Sequence, residues 1–200
     1  MISPDTWANV LWSAWLLIWV LAASFTARTV VRQPLASRIA HGLWLWVGAA
    51  LLFFVDTRRS GRPLNISLLP FHAWIAWTGV GMVAAGLGHA VWARAHLGKM
   101  WSGTVTLKEE HALVRSGPYA LTRHPIYTGL ILALIGTVLV RNTLGALVGF
   151  ALCIIGVILK IRQEERLMIG HFGDAYRAYQ AAVPAVVPGL GMVTKVKTKG

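Results

Sequence analysis

Four cations or potential cations and two tyrosines crowd the stretch His111 to Gly129, HALVRSGPYALTRHPIYTG: His111, Arg115, Arg123 and His124, with Tyr119 and Tyr127. A second polar group follows an apolar run: Lys160, Glu164 and Glu165. Lys160 and Glu164 stand one helical turn apart and share a face. Carboxylates so close to an apolar span are costly and tend to have partners or a task. Rings, a carboxylate and several cations together suit the binding of a charged small molecule at a membrane edge.

Two prolines keep the first stretch from being one helix. Gly117-Pro118 reads as a turn. Pro125 suits the first turn of the apolar helix that follows, where a missing N–H costs nothing.

The 200 residues are 56% hydrophobic and 13% charged, with ten tryptophans and a net charge of +12. This composition lies outside the usual soluble range and predicts an all-α, multi-pass transmembrane bundle. In a soluble chain the charge would point to nucleic acid. Here the cations flank apolar runs, so anionic headgroups and membrane topology account for them. The expected partner is therefore the bilayer, with no nucleic acid. The sequence gives no oligomeric state.

Five spans are expected: Trp7 to Ala27, Ile39 to Val55, Phe71 to Trp92, Ile126 to Val140 and Leu144 to Leu159. The first is read as a retained span, since it lacks a basic leader and a small-residue cleavage site. Trp7, Trp12, Trp15 and Trp19 share one side of it. The last two read as a tight hairpin with a small-xxx-small face at Gly145 and Gly149. Lys160 to Gln180 reads as a polar helix leaving the membrane. Residues 1–92 thus form an N-terminal membrane part, and residues 93–200 a binding part ending in a basic tail.

Fifteen of the nineteen Lys and Arg fall on one side of these spans. The positive-inside rule puts that side, with the C-terminus and both polar groups, in the cytoplasm and the N-terminus outside. In a bacterium the membrane would be the inner one.

Seven histidines are present, but none forms a tight His-x₃-His pair and the single cysteine has no mate, so no metal is expected. Gly79-Val-Gly81 and Gly86-Leu-Gly88 lie within a span and lack the strand-to-helix context of a dinucleotide loop.

The run His111-Ala-Leu-Val, then Gly117-Pro-Tyr119, then Arg123-His-Pro-Ile-Tyr127-Thr-Gly129 resembles the cofactor motif of the isoprenylcysteine carboxyl methyltransferase family. That family lies in a wider group of membrane methyltransferases that includes the phospholipid N-methyltransferases. Glu164-Glu165, Phe172-Gly173, Tyr176, Tyr179 and Val183-Pro184 resemble the second half of its signature. The resemblance covers about residues 92–190. It implies S-adenosyl-L-methionine bound at the cytoplasmic boundary. His111, Ala112, Leu113, Val114, Tyr119, His124, Pro125, Ile126 and Tyr127 would line the pocket, with Glu164 holding the cofactor from the C-terminal helix. Lys160 stands where the family has a substrate-contacting arginine. With Glu164 it is expected to serve catalysis, and with Arg123 to bind substrate. Lysine keeps the charge but loses the two-pronged grip on a carboxylate.

Methyl transfer from a sulfonium is an in-line displacement that needs a positioned, electron-rich acceptor more than acid–base help. A carboxylate acceptor on an isoprenylcysteine-like lipid is the simplest expectation. A phospholipid amine, or a small amine or thiol, is the alternative. A membrane reductase using NADPH is a different class, and a non-enzymatic scaffold a third.

Overall fold

A computed structural model of the chain describes residues 2–23, 29–32, 35–54, 63–70, 72–98, 106–108 and 113–189. His111, Ala112 and the basic tail, named above, lie outside the described residues. Six α-helices dominate: α1 (Pro4–Ala23), α2 (Leu35–Ala49, continued by a π-helical turn at Ala50–Phe54), α3 (Ala73–Leu97), α4 (Pro125–Arg141), α5 (Leu144–Phe172) and α6 (Asp174–Ala182). The all-α membrane bundle is as expected. One antiparallel pairing is added to it, β1 (Thr29–Arg32) with β2 (Thr106–Lys108).

Three helices, α1, α3 and α5, are long and apolar enough to cross a membrane, while His41–Phe53 and Pro125–Arg141 are shorter apolar helices. The span ending at Leu159 and the polar helix expected after it are one continuous helix, α5. It stops at Gly173, whose φ of +54° turns the chain into α6.

The α4–α5 hairpin is as expected, turned at Asn142-Thr143, but its two helices do not make their closest contact with each other. Each instead grips an earlier helix through its glycines. On α4, a Cβ at Gly129 would meet the Gly86 carbonyl and one at Gly136 would lie 2.9 Å from the Val83 nitrogen, both on α3. On α5, a Cβ at Gly149 would lie 2.8 Å from the Gly48 carbonyl oxygen of α2. Two close pairs result, α3 with α4 and α2 with α5. The small residues set the partner because helix backbones touch only where no side chain intervenes. Gly81 and Gly88 meet nothing within 4 Å, so only alternate glycines of the two Gly-x-Gly pairs face α4.

The seam between the pairs is filled by Leu52, Leu134, Ala146 and Cys153, and a second cluster, Val83, Leu87 and Ala133 of the α3–α4 pair, packs against Leu11, Trp12 and Trp15. Helix α1 closes the side. Trp12 donates its indole N–H to Thr137 Oγ1 at 3.0 Å, and Trp15 and Trp19 stack at 4.6 Å between ring centroids. The tryptophan face expected on α1 is thus formed by Trp12, Trp15 and Trp19, while Trp7 is 41% exposed.

The α4–α5 turn is held by Asn142, which has left-handed φ of 50° and ψ of 42°. Its side chain donates to the Leu69 carbonyl at 2.8 Å and accepts from the Leu69 N–H at 3.0 Å. Thr143 caps α5 by accepting from the Ala146 N–H at 3.2 Å. A cavity of about 310 Å³ lies here, lined in part by Ser67, His72, Arg141 and Thr143. Asn142→Ala removes both hydrogen bonds and strains the left-handed residue, so thermal unfolding should show a loss of about 2 kcal/mol. Asn142→Gly, which keeps the conformation, should lose less.

Candidate active site at the start of helix α4

The other end of the same two helices gathers the polar residues. Pro118 and Tyr119 are buried in a 3₁₀ turn, Gly117–Ala120, packed on the end of α3. The turn leads to His124, the residue preceding α4, and Pro125 occupies the first helical position as expected. Tyr127 then projects one turn into α4. Helix α5 arrives alongside with Lys160, Glu164 and Glu165.

Tyr127 donates its hydroxyl to Glu164 Oε1 at 2.6 Å. The His124 ring lies between the carboxylates, with Nδ1 3.4 Å from Glu164 Oε2 and Nε2 3.3 Å from Glu165 Oε1. Burial alone would push the His124 imidazole down. Hydrogen bonds and negative charge from both glutamates outweigh it and hold His124 above its ordinary value. A protonated imidazole can donate from both nitrogens, which this geometry suits. Lys160 Nζ lies 5.6 Å from the centre of the Tyr127 ring. That ring face therefore already accepts a cation.

Arg123, expected to bind substrate, has other partners here. Its Nε and Nη2 donate to Glu165 Oε1 at 2.9 and 2.6 Å, and its Nη1 to the Gln180 carbonyl at 3.1 Å and to the Val183 carbonyl. Arg115 donates to the Ala175 carbonyl at 2.9 Å and lies over the Tyr179 ring. Tyr179 donates to the Tyr119 carbonyl, and burial pushes its phenol up to about 12, so it is a neutral donor. Tyr119 stacks on His96. Leu113, Val114 and Ile126 are half-buried nearby in the chain, and Pro125 is buried.

The structure thus brings Tyr127, His124, Lys160 and Glu164 into one cluster from two helices, and puts Tyr119 and Pro125 in its support. Reading the sequence gave Glu165 and Gln180 no role. The signal was the doubled glutamate: neighbours on a helix point about 100° apart, so one carboxylate cannot do the work of both.

Fold and site together show a helical membrane bundle with a cluster of charged and aromatic side chains at one end. Residues 79–170, just under half of the chain and the part that carries Tyr127, His124, Lys160 and Glu164, match the model of the Isoprenylcysteine carboxyl methyltransferase (ICMT) family. The match reaches further into α3 than the motifs alone indicated. Among similar proteins, Protein-S-isoprenylcysteine O-methyltransferase of Schizosaccharomyces pombe is 31% identical over 99 residues, covering 48% of this chain and 42% of that protein. Protein-S-isoprenylcysteine O-methyltransferase B of Arabidopsis thaliana is 31% identical over 121 residues, 58% of this chain and 61% of that one. Methanethiol S-methyltransferase 1 of Bradyrhizobium diazoefficiens is 39% identical over 70 residues, 35% of this chain and 24% of that one. The chain thus matches between about a quarter and three fifths of the length of these relatives.

Proposed function

We propose that the protein is an integral-membrane, S-adenosyl-L-methionine-dependent methyltransferase acting on a lipid-borne carboxylate of the isoprenylcysteine kind. The observation that carries this reading is the meeting of Tyr127, His124 and Glu164 beside Lys160, at one end of the two family helices. The donor set fits a sulfonium carrying an amino group. It offers a carboxylate with about a fifth of its side chain exposed, 22%, beside an aromatic face that tolerates a cation.

S-adenosyl-L-methionine supplies an electrophilic methyl group: the acceptor oxygen's electron pair forms the new C–O bond as the C–S bond breaks. An ionised carboxylate loses no proton in that step, so no general base is needed. Glu164 holds the donor's cationic part. Tyr127 and His124 fix Glu164 in place. Lys160 draws the acceptor anion to the same spot. Residues 93–200 form the donor-binding part and residues 1–92 the membrane support, with the site and C-terminus cytoplasmic and the N-terminus outside, by the charge asymmetry of the loops.

A thiol acceptor is the second reading. It is favoured by the similarity to the Bradyrhizobium protein and by Lys160, a point cation that suits a single-atom anion. Purified protein with radiolabelled methyl donor and lipid extract, followed by base, separates the two. Volatile methanol marks an ester; a base-stable label marks a thioether, and no label at all overturns methyl transfer. Lys160→Ala should leave donor affinity within about threefold and lower turnover roughly 10- to 100-fold, because the lost contact is to the acceptor.

A further inference from the structure

Glu164 and Glu165 are consecutive and hold the His124 ring between them, but their other partners differ. Glu164 meets Tyr127 and His124 in the cluster described above. Glu165 turns toward the C-terminal segment. Its Oε1 accepts twice from Arg123, and its Oε2 accepts from Gln180 Nε2 at 3.1 Å. Both ions of the Arg123–Glu165 pair are largely buried, at 11% and 18% exposure. A charge pair kept from water in this way holds its geometry more firmly than a surface pair.

This pair is the fixed point of a longer seam. After α6 the chain runs back across the start of α4. The Arg123 N–H donates to the Pro184 carbonyl at 2.8 Å, and the His124 N–H to the Ala185 carbonyl at 2.9 Å. Thr128 Oγ1 donates to the Val186 carbonyl at 2.6 Å. The backbone N–H groups at the head of a helix have no partner within it. Here the strap of residues 183–186 supplies the oxygens for the two residues that enter α4. Pro184 suits it, since it has no N–H to leave unpaired.

We infer that Glu165, acting through Arg123 and Gln180, is a positioning residue: it latches the strap of residues 183–186 across the start of α4 and so sets where His124 and Tyr127 stand. The inference deepens the methyl-transfer reading and rests on it. The strap holds His124 by its backbone N–H and Thr128, next to Tyr127, by its hydroxyl, while the donor would meet the His124 ring and Tyr127. Order in one therefore favours binding of the other, and the coupling is reciprocal.

The test is amide hydrogen exchange and S-adenosylhomocysteine titration on the full chain in detergent, for wild type, Glu165→Gln, Glu165→Asp and Arg123→Lys. In wild type, S-adenosylhomocysteine should slow exchange at the Arg123 and His124 amides, which donate to the strap carbonyls and so report strap exchange. Glu165→Gln keeps the shape and loses the charge. Its strap should exchange about tenfold faster, and its affinity for S-adenosylhomocysteine should fall by about the same factor, as for one lost charge-assisted bond. Exchange in α3 should stay as in wild type. Glu165→Asp and Arg123→Lys, which keep the charges, should recover part of both effects. Wild-type strap exchange and affinity in Glu165→Gln overturn the latch, as does faster exchange spread equally through α3. Wild-type protein that ignores S-adenosylhomocysteine overturns the functional reading instead, and the latch is then judged on strap exchange alone.

Discussion

Glu164→Ala abolishes binding of S-adenosylhomocysteine and leaves the helices packed. The carboxylate accepts the Tyr127 hydroxyl and keeps part of its surface exposed. Hydrogen bonds to charged groups contribute about 1.5–3 kcal/mol each, so losing it should weaken binding on the order of 100-fold or more. Folding should survive because Glu165, not Glu164, ties the C-terminal segment. Calorimetric titration of the purified variant, with its thermal midpoint as a control, checks both halves. Unchanged affinity would remove Glu164 from the donor site. Tyr127→Phe, which deletes the 2.6 Å bond to Glu164 but keeps the ring, should weaken binding less.

The second large effect lies in the packing. Gly86→Leu should fail to accumulate as folded protein, while Gly88→Leu, two residues away, should accumulate normally. A Cβ at position 86 would meet the Gly129 carbonyl and lie 2.6 Å from the Ala133 nitrogen, whereas at position 88 nothing lies within 4 Å. Backbone cannot swing aside as a side-chain tip can, so α3 and α4 would have to part. Gly86→Ala is the graded form and should cost about 1–3 kcal/mol, as overpacking does. The yield of monodisperse protein after detergent extraction reads the contrast. Equal yields would mean that the α3–α4 contact does not hold the fold.

These two predictions also mark what the sequence made legible. Apolar runs and their polar ends announced the helices, because helix length against hydrocarbon thickness is a one-dimensional property. The motif residues Tyr127, His124 and Glu164 could be singled out because polar and aromatic groups stand out between such runs. Partner choice was not legible. Gly145 and Gly149 announced a close contact but not with which helix; Gly149 meets α2. The role of Arg123 was likewise hidden. Nothing in its neighbourhood along the chain shows that Glu165, Gln180 and Val183 will take its donors. That depends on α6 turning back at Gly173, a three-dimensional event.

The most direct measurement is an experimental structure with S-adenosylhomocysteine bound. The account predicts the ligand at the start of α4, its amino group against Glu164 and its body beside Tyr127. A ligand lodged instead in the cavity beside Arg141 and Thr143, or NADPH bound in its place at Tyr127 and Glu164, would contradict it.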